Sequence, residues 1–519
     1  MAALSQSLRV VDETLTSAFD RVFAPAHNPW RHLGALAFLC LVAAVASGIV
    51  AYALYDTSVS GAYESGLRLQ NDSLLLGRLL RGLHRYSADA FMFLSLLHLA
   101  REAARGHFRG VRWFSWLTGI PLLCMLWISG VTGLWLLWDA RAIFSVTATA
   151  EWLQALPLGS DLLARNFLTA EALNDRFFSL IIFIHIGMSL LLLAGVWVHV
   201  QRVSQPRMWP PRALMTGCLV ALALLALMWP VTSLGPADAG RVPAQISLDW
   251  FYLFVHPLVD AFGAPMVWLL AAALTLVLGA LPMLRVPRKA ARAVAQVDLA
   301  NCNGCSRCVA DCPFGAVAMV ARTDQSHHPS QASVNSDLCA SCGICVGSCP
   351  SSTPFRHIVD IVSGIEMPDE PIATLRRTLQ QKLGALTGRE KVVLLSCRQA
   401  ADLQSLADAS TAVMALECAG MLPPSFLEYA TRLGAVGAVI AGCREGDCEY
   451  RLGDQWVRER ILGAREPRLR AAAPRDRIAV VWSGRDIAQV HDTILILRNH
   501  LSTAAGPAGN AALKEQQHE

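Results

Sequence analysis

The sequence predicts a multi-domain chain: an all-α bundle of six transmembrane helices, then a small α+β module organised by cysteines, then a small α/β domain. Three observations carry this reading. Six apolar runs of about 20 residues or more occupy the N-terminal half, each long enough for a helix to cross a hydrocarbon core of ~30 Å. Eight cysteines between Cys302 and Cys349 fall in two copies of one spacing. From about residue 390, short β-rich runs alternate with helical stretches.

The apolar runs lie near 33–55, 83–104, 114–138, 177–201, 213–234 and 265–284. Apolar residues make up 54% of the 519, above the roughly 45–50% of a soluble globular domain. The formal net charge of +4 is too small to argue for nucleic acid as a partner. Residues 1–32 are polar and show no signal-peptide pattern. The connections alternate in charge. Arg101, Arg105, Arg109 and Arg112 follow the second run, Arg202, Arg207 and Arg212 the fourth, and Arg285, Arg288, Lys289 and Arg292 the sixth. The intervening loops carry Asp56, Glu64, Asp72, Asp139, Glu151, Asp161, Glu171, Asp238 and Asp260. Basic loops stay on the cytoplasmic side, so both termini are expected there, in the inner membrane of a bacterium.

His84 and His98 lie 14 residues apart in the second run, and His185 and His199 lie 14 apart in the fourth. Fourteen residues is close to four helical turns and ~21 Å of rise. Both histidines of a run therefore share a face, one near each membrane surface. The two runs cross in the same direction, so His84 faces His185 and His98 faces His199. Two imidazoles facing across a bundle are what a bis-histidine heme needs. Gly34 and Gly48, and Gly119 and Gly133, repeat the 14-residue spacing on the neighbouring runs. Glycine leaves space, here expected for a porphyrin edge. Arg81 and Arg101 each stand three residues from a histidine, within reach of heme propionates. The competing reading, packing or proton-relay histidines, has to explain four matched spacings at once.

Residues 30–235 resemble the N-terminal core of cytochrome b from cytochrome bc and bf complexes. The carriers are RGLHRY…HLAR, the paired glycines, WDARAIFSVTATAEWLQALPLGSDLL and FFSLIIFIH…WVHV. The resemblance implies an outer, low-potential heme on His84 and His185, an inner, high-potential heme on His98 and His199, and a dimer. SLDWFYLF resembles the PEWY quinol-site motif of that family, with Asp249 at the glutamate position. There Asp249 would take a quinol proton; an interfacial aromatic anchor is the alternative.

Cys302, Cys305, Cys308 and Cys312-Pro313 are followed by Cys339, Cys342, Cys345 and Cys349-Pro350. This doubled spacing is the bacterial two-cluster ferredoxin pattern, in which the fourth cysteine of each run crosses to the other cluster. One [4Fe–4S] cluster would take Cys302, Cys305, Cys308 and Cys349, and the other Cys339, Cys342, Cys345 and Cys312. Cys397, Cys418 and Cys443 end or follow short apolar runs, with Cys448 five residues on. Placed at the carboxyl ends of strands, these four hold a [2Fe–2S] cluster or are buried structural cysteines. AGCREGDCEYRLGDQ is similar to the delta subunit of methyl-viologen-reducing hydrogenase. That resemblance implies a [2Fe–2S] cluster and docking on a flavoprotein of the heterodisulfide reductase type.

The expected organisation is an N-terminal segment (1–32), a diheme membrane domain (33–235), an outer loop and last span (236–290), a ferredoxin domain (296–357), a [2Fe–2S] domain (388–500) and a disordered tail (501–519). Residues 351–388 read as a connector. With no Rossmann or P-loop fingerprint in the chain, hydride chemistry is left to a partner. The reading is an oxidoreductase subunit that passes electrons from a cytoplasmic flavoprotein, with NAD(P)H a candidate source of its electrons, through [2Fe–2S], two [4Fe–4S] and two b hemes to membrane quinone. The reverse flow, and a membrane anchor for a docking scaffold, are the alternatives.

Overall fold

The computed structural model describes residues 2–72, 74–156, 174–238, 240, 245–284, 293–324, 326–388 and 390–504. Asp161, Glu171, the linker residues Arg285, Arg288, Lys289 and Arg292, and the tail beyond 504 lie outside the described residues. The chain divides into two compact units: Met1–Gln201 with Pro206–Arg285, and Val286–Glu519 with Arg202–Gln205.

The first unit is helical. Its N-terminal residues form helix α1 (Ala2–His27), amphipathic rather than uniformly polar. Asp12 and Thr16 are buried on one face, and Val11 and Val22 are exposed on the other. There follow α2 (Leu33–Ala53), α3 (Ala62–Gln70), α4 (Leu76–Ala104), α5 (Trp113–Trp135), α6 (Ala140–Gln154), α7 (Asp175–Val200), α8 (Arg212–Met228), α9 (Val255–Phe262) and α10 (Ala264–Ala280). Helix α2 packs along α4, and α5 along α7. Ala37, Cys40, Leu41, Phe91, Met92, Leu126 and Leu192 fill the core between them. Phe183, Leu190, Trp197, Leu269 and Leu276 point outward, fully apolar and exposed. Such an outer surface is stable in hydrocarbon and costly in water.

Among the described residues, four helices are long and apolar enough to cross a membrane: α2, Gly110–Trp135, α7 and Ala264–Met283. The six apolar runs of the sequence do not translate into six such helices. Helix α4 has the length, 29 residues, but carries Arg78, Arg81, Arg85, Asp89, Arg101 and Glu102. Helix α8 spans 17 residues and ends at Met228, just before Pro230, which cannot continue the ladder.

The second unit opens with an internal repeat. Helices α11 (Arg307–Asp311) and α12 (Ile344–Ser348) each follow a Cys-x2-Cys loop and carry the third cysteine of the run, Cys308 or Cys345, and strands β2 (Val317–Ala321) and β3 (Ser330–Val334) pair antiparallel between them. Strand β1 (Gln296–Val297) pairs with β4 (Ile365–Glu366) and closes the module on itself. The stretch read as a connector holds β4 and helix α13 (Ile372–Gly384). Ile372, Leu375, Leu379 and Leu383 are buried at helical spacing there, packed with Val393 and Met414. The α/β domain is a parallel sheet of β5 (Val392–Cys397), β6 (Thr411–Leu416), β7 (Gly437–Ala441) and β8 (Ile478–Val481), in the order β6-β5-β7-β8. Helices α14 (Ser425–Arg432), α15 (Gly453–Leu462) and α16 (Ile487–Ala504) connect and flank it. The strands are buried throughout β5 and β7, as a sheet covered on both faces requires.

Candidate redox centres

The helical pairing places each of the four histidines against one of the four glycines. A Cβ at Gly48 would lie 2.8 Å from Cε1 of His84, and one at Gly133 would lie 2.9 Å from Cε1 of His185. The same atom at Gly34 or Gly119 would meet Cε1 of His98 or His199 at 3.4 Å. The glycines thus seat the imidazole rings, where the sequence suggested room for a porphyrin edge. Without a Cβ, the ring reaches the backbone one turn earlier. Nδ1 of His84 donates to the carbonyl of Ala44 at 2.9 Å, four residues before Gly48. Nδ1 of His185 donates to that of Ser129 at 2.9 Å, four before Gly133. A carbonyl only accepts, so Nδ1 carries the hydrogen and Nε2 keeps its lone pair for a metal.

Hydroxyls repeat the pattern. Ser47, Thr118 and Thr132 each stand one residue before a seating glycine, and their oxygens lie 3.5, 3.0 and 3.5 Å from Nδ1 of His84, His199 and His185. His98 differs: its Nδ1 is 3.9 Å from a Glu102 carboxylate oxygen. These groups orient the rings as outer partners of a metal ligand do. The hydroxyl-glycine pairs were visible in the sequence, but their service to the histidines was not.

The rings of His84 and His185 stand 6.1 Å apart between centroids. With a metal–imidazole bond of ~2 Å and ~1.1 Å from ring nitrogen to ring centre, two axial imidazoles on one iron stand ~6.2 Å apart. The residues fit the group. Arg81 is buried and donates to the Gly66 carbonyl (3.1 Å), Gln70 Oε1 (3.1 Å) and Ser233 Oγ (2.7 Å), while its Nε has no partner among the described residues. Arg101 is engaged by Asp12 of α1 at 3.3 Å.

In the second unit, Cys302, Cys305, Cys308 and Cys349 line one pocket, with Gly364 and Ile365 at its wall. Burial, then the neighbouring thiols Cys349, Cys305 and Cys302, push the Cys308 thiol up to about 12. Burial also pushes Cys342 up to about 12, with Cys312 and Cys339 adding to it. Cys349 thus stands with the first run of cysteines, and Cys312 with the second. Gly304 and Ser341, and Ser306 and Gly343, occupy equivalent places in the two loops, and all four have positive φ. That backbone curls each loop around its thiols.

Cys397 ends β5, Cys418 stands two residues past β6, and Cys443 two past β7, all at the carboxyl edge of the sheet. The sheet order reverses at β5, and such a switch point opens a crevice for a ligand. Cys397 and Cys443 Sγ are 3.8 Å apart, the ~3.8 Å separation of two thiolates on one tetrahedral metal at ~2.3 Å. A Cβ at Gly453 would lie 2.6 Å from Cys418 Sγ and 3.2 Å from Cys448 Sγ, so this glycine brings the second pair together. Hydrogen bonds shared with Cys418 hold Cys397 and Cys448 below the ordinary thiol range. Among the described residues no three His, Cys, Asp or Glu are grouped to grip a single ion; thiols that share a multi-iron cluster are spread more widely.

A family model described as cytochrome b/b6/petB matches residues 19–205. Cytochrome b6 of Euglena gracilis is 31% identical over 167 residues, 31% of this chain and 77% of that protein. The chain belongs to the cytochrome b family. Cytochrome b6 of Prochlorothrix hollandica is 29% identical over 181 residues, 34% of this chain and 81% of that protein. Further models, a 4Fe-4S dicluster domain and the delta subunit of methyl-viologen-reducing hydrogenase, match residues 286–353 and 393–496. A solved structure titled "Hyperthermophilic respiratory Complex III" superposes with a TM-score of 0.41 and 18% identity, over 49% of this chain and 75% of that one, too loosely to carry an argument.

This cytochrome b is therefore a membrane electron-transfer subunit of the oxidoreductase type, whose domains imply heme b and [4Fe–4S] clusters. Asp249 is held at both carboxylate oxygens. Its Oδ1 accepts from the backbone N–H of Phe251 (3.0 Å) and Tyr252 (2.8 Å), and its Oδ2 is gripped by Arg85 of α4. It ties down the chain before α9. Arg85, Asp89 and Tyr252 around it were not singled out from the sequence, although a carboxylate in the middle of an apolar run was there to be read.

Proposed function

We propose that the chain carries electrons between a cytoplasmic flavoprotein of the heterodisulfide reductase type, with NAD(P)H a candidate source of its electrons, and membrane quinone. It would sit in the inner membrane of a bacterium with both termini in the cytoplasm, crossing six times, as a dimer through its cytochrome part. His84 with His185, and His98 with His199, would hold two b hemes; Cys302/305/308/349 and Cys339/342/345/312 two [4Fe–4S] clusters; and Cys397/418/443/448 a [2Fe–2S] cluster. When bound, these groups supply one-electron carriers. The chain's own work is to fix Nε2 toward the metal, to gather thiols at the sheet edge and to keep water out.

The observation that carries this is the meeting of four thiols at one sheet edge, Cys397 beside Cys443 and Cys418 with Cys448 against Gly453, in a chain that also holds two seated histidine pairs. A [2Fe–2S] entry point, where a two-electron flavin meets a one-electron path, gives that convergence a purpose. Cys397→Ser in the full-length protein is expected to lower cluster iron by roughly two atoms per chain and to abolish a [2Fe–2S] resonance, with both [4Fe–4S] signals and both hemes retained. Iron analysis and electron paramagnetic resonance check it. Unchanged iron and spectra would show Cys397 and its neighbours to be structural thiols.

A further inference from the structure

Helix α4 carries a carboxylate near its midpoint. Asp89 lies five residues beyond His84, ~7.5 Å further along the axis, at membrane depth. A charged group there is costly and is kept for a function. Its Oδ2 accepts from Arg85 Nε at 3.0 Å, but its Oδ1 is enclosed with no partner among the described residues. The Tyr252 side chain is 1% exposed, and its hydroxyl is likewise without a partner. Arg85 joins the two, since its guanidinium carbon stands 5.3 Å from the Tyr252 ring centroid. Gly130 makes room for that ring, as a Cβ there would fall 2.0 Å from it.

Asp249 already accepts from two backbone N–H groups and Arg85, three of the roughly four lone-pair positions of a carboxylate. Asp89 accepts from Arg85 at Oδ2 while its Oδ1 has no partner among the described residues, and 28% of its side chain reaches the surface of the unit at membrane depth. We propose that Asp89 is the proton-accepting carboxylate of a quinol-binding site on this face of α4, with Arg85 and Asp249 as positioning residues. This rests on the quinone reading above. For each electron that leaves the quinol, one O–H bond breaks and the proton joins the Asp89 carboxylate; the oxidised b heme that His84 and His185 would hold would be the one-electron acceptor. Asp89 then returns the proton to water, and a second round leaves quinone. Quinone reduction is the same sequence reversed. The titratable and charged groups facing Asp89 are Arg85 and Tyr86 on α4, and Asp249 and Tyr252 from the segment before α9.

The test mixes duroquinol with the full-length, heme-loaded protein and follows heme reduction by absorbance across pH. Asp89→Asn is expected to slow it by ~100-fold or more, in the range of a lost general base, and to flatten its pH profile, with both heme bands intact under dithionite. Asp89→Glu restores the rate to within a small factor. In infrared difference spectra, duroquinol raises a protonated-carboxyl band in wild type that Asp89→Asn lacks. Wild-type rate, profile and carboxyl band in Asp89→Asn would overturn the role of Asp89. Failure of duroquinol to reduce the hemes of wild type would instead overturn the quinone reading, and this proposal with it.

Discussion

Replacing His84 or His185 by alanine is expected to remove one heme and leave the other, cutting the pyridine hemochrome to about half. Each imidazole has its Nδ1 fixed on the neighbouring helix, so its Nε2 has one direction in which to bind. Removing one partner leaves the other unable to complete the axial pair. The inner level, ~21 Å away along the same helices, keeps its own ligands, His98 and His199. The seating glycines extend the test. Gly48→Ala and Gly133→Ala put a methyl 2.8 and 2.9 Å from a ring carbon, whereas Gly34→Ala and Gly119→Ala put it at 3.4 Å. The first two are expected to lose or perturb the outer heme, and the last two to shift the inner one only slightly. Two intact b-type bands in His84→Ala would end the bis-histidine assignment.

Spacing rules made much of this legible. Histidines and glycines at a 14-residue interval, and cysteines in a doubled run, are patterns in which sequence distance converts directly into geometry. So are apolar runs that end in Cys397, Cys418 and Cys443: strands buried on both faces read as continuous hydrophobics, and their ends follow. What escaped depends on contacts distant in sequence. The grip of Arg85 on Asp249, 164 positions away, is written in neither local stretch. The stretch 351–388 looks like a connector because half of α13 is polar, yet its apolar stripe has the underside of the sheet to cover. The polar residues of α4 lower its hydropathy below that of a simple span, although its length suffices. Each miss turns on a contact that no local pattern reveals.

Arg460 is another such case, and Arg460→Met carries the largest expected loss of stability in the second unit. Its side chain is 1% exposed and pairs with Asp311, itself 3% exposed. It also donates to the carbonyl of Gly420 at 2.9 Å. Asp311 precedes Cys312, and Gly420 lies two residues past Cys418, so one guanidinium ties the ferredoxin module to the α/β sheet beside both sets of thiols. Arg465 adds a second bond to Asp311 at 2.6 Å and lies over the Trp456 ring, whose Nε1 donates to the Asp311 carbonyl at 3.1 Å. Burying two charges in water-free surroundings is costly, and breaking such a pair costs ~3–5 kcal/mol because the remaining charge keeps its desolvation penalty. Asp311→Asn should do as much harm, since it leaves two arginines facing a neutral amide. Arg458→Ala is the control: its pair with Glu445 is nearly half exposed on both sides, and such pairs contribute below about 1 kcal/mol. The measurement is loss of iron–sulfur absorbance on heating the full-length protein, with the heme bands read in the same scan. Arg460→Met and Asp311→Asn should release their clusters roughly 10 °C or more below wild type, before the hemes are affected, and Arg458→Ala within a degree or two of it. Equal midpoints for all three would mean that the hub is dispensable and that apolar packing alone joins the two domains.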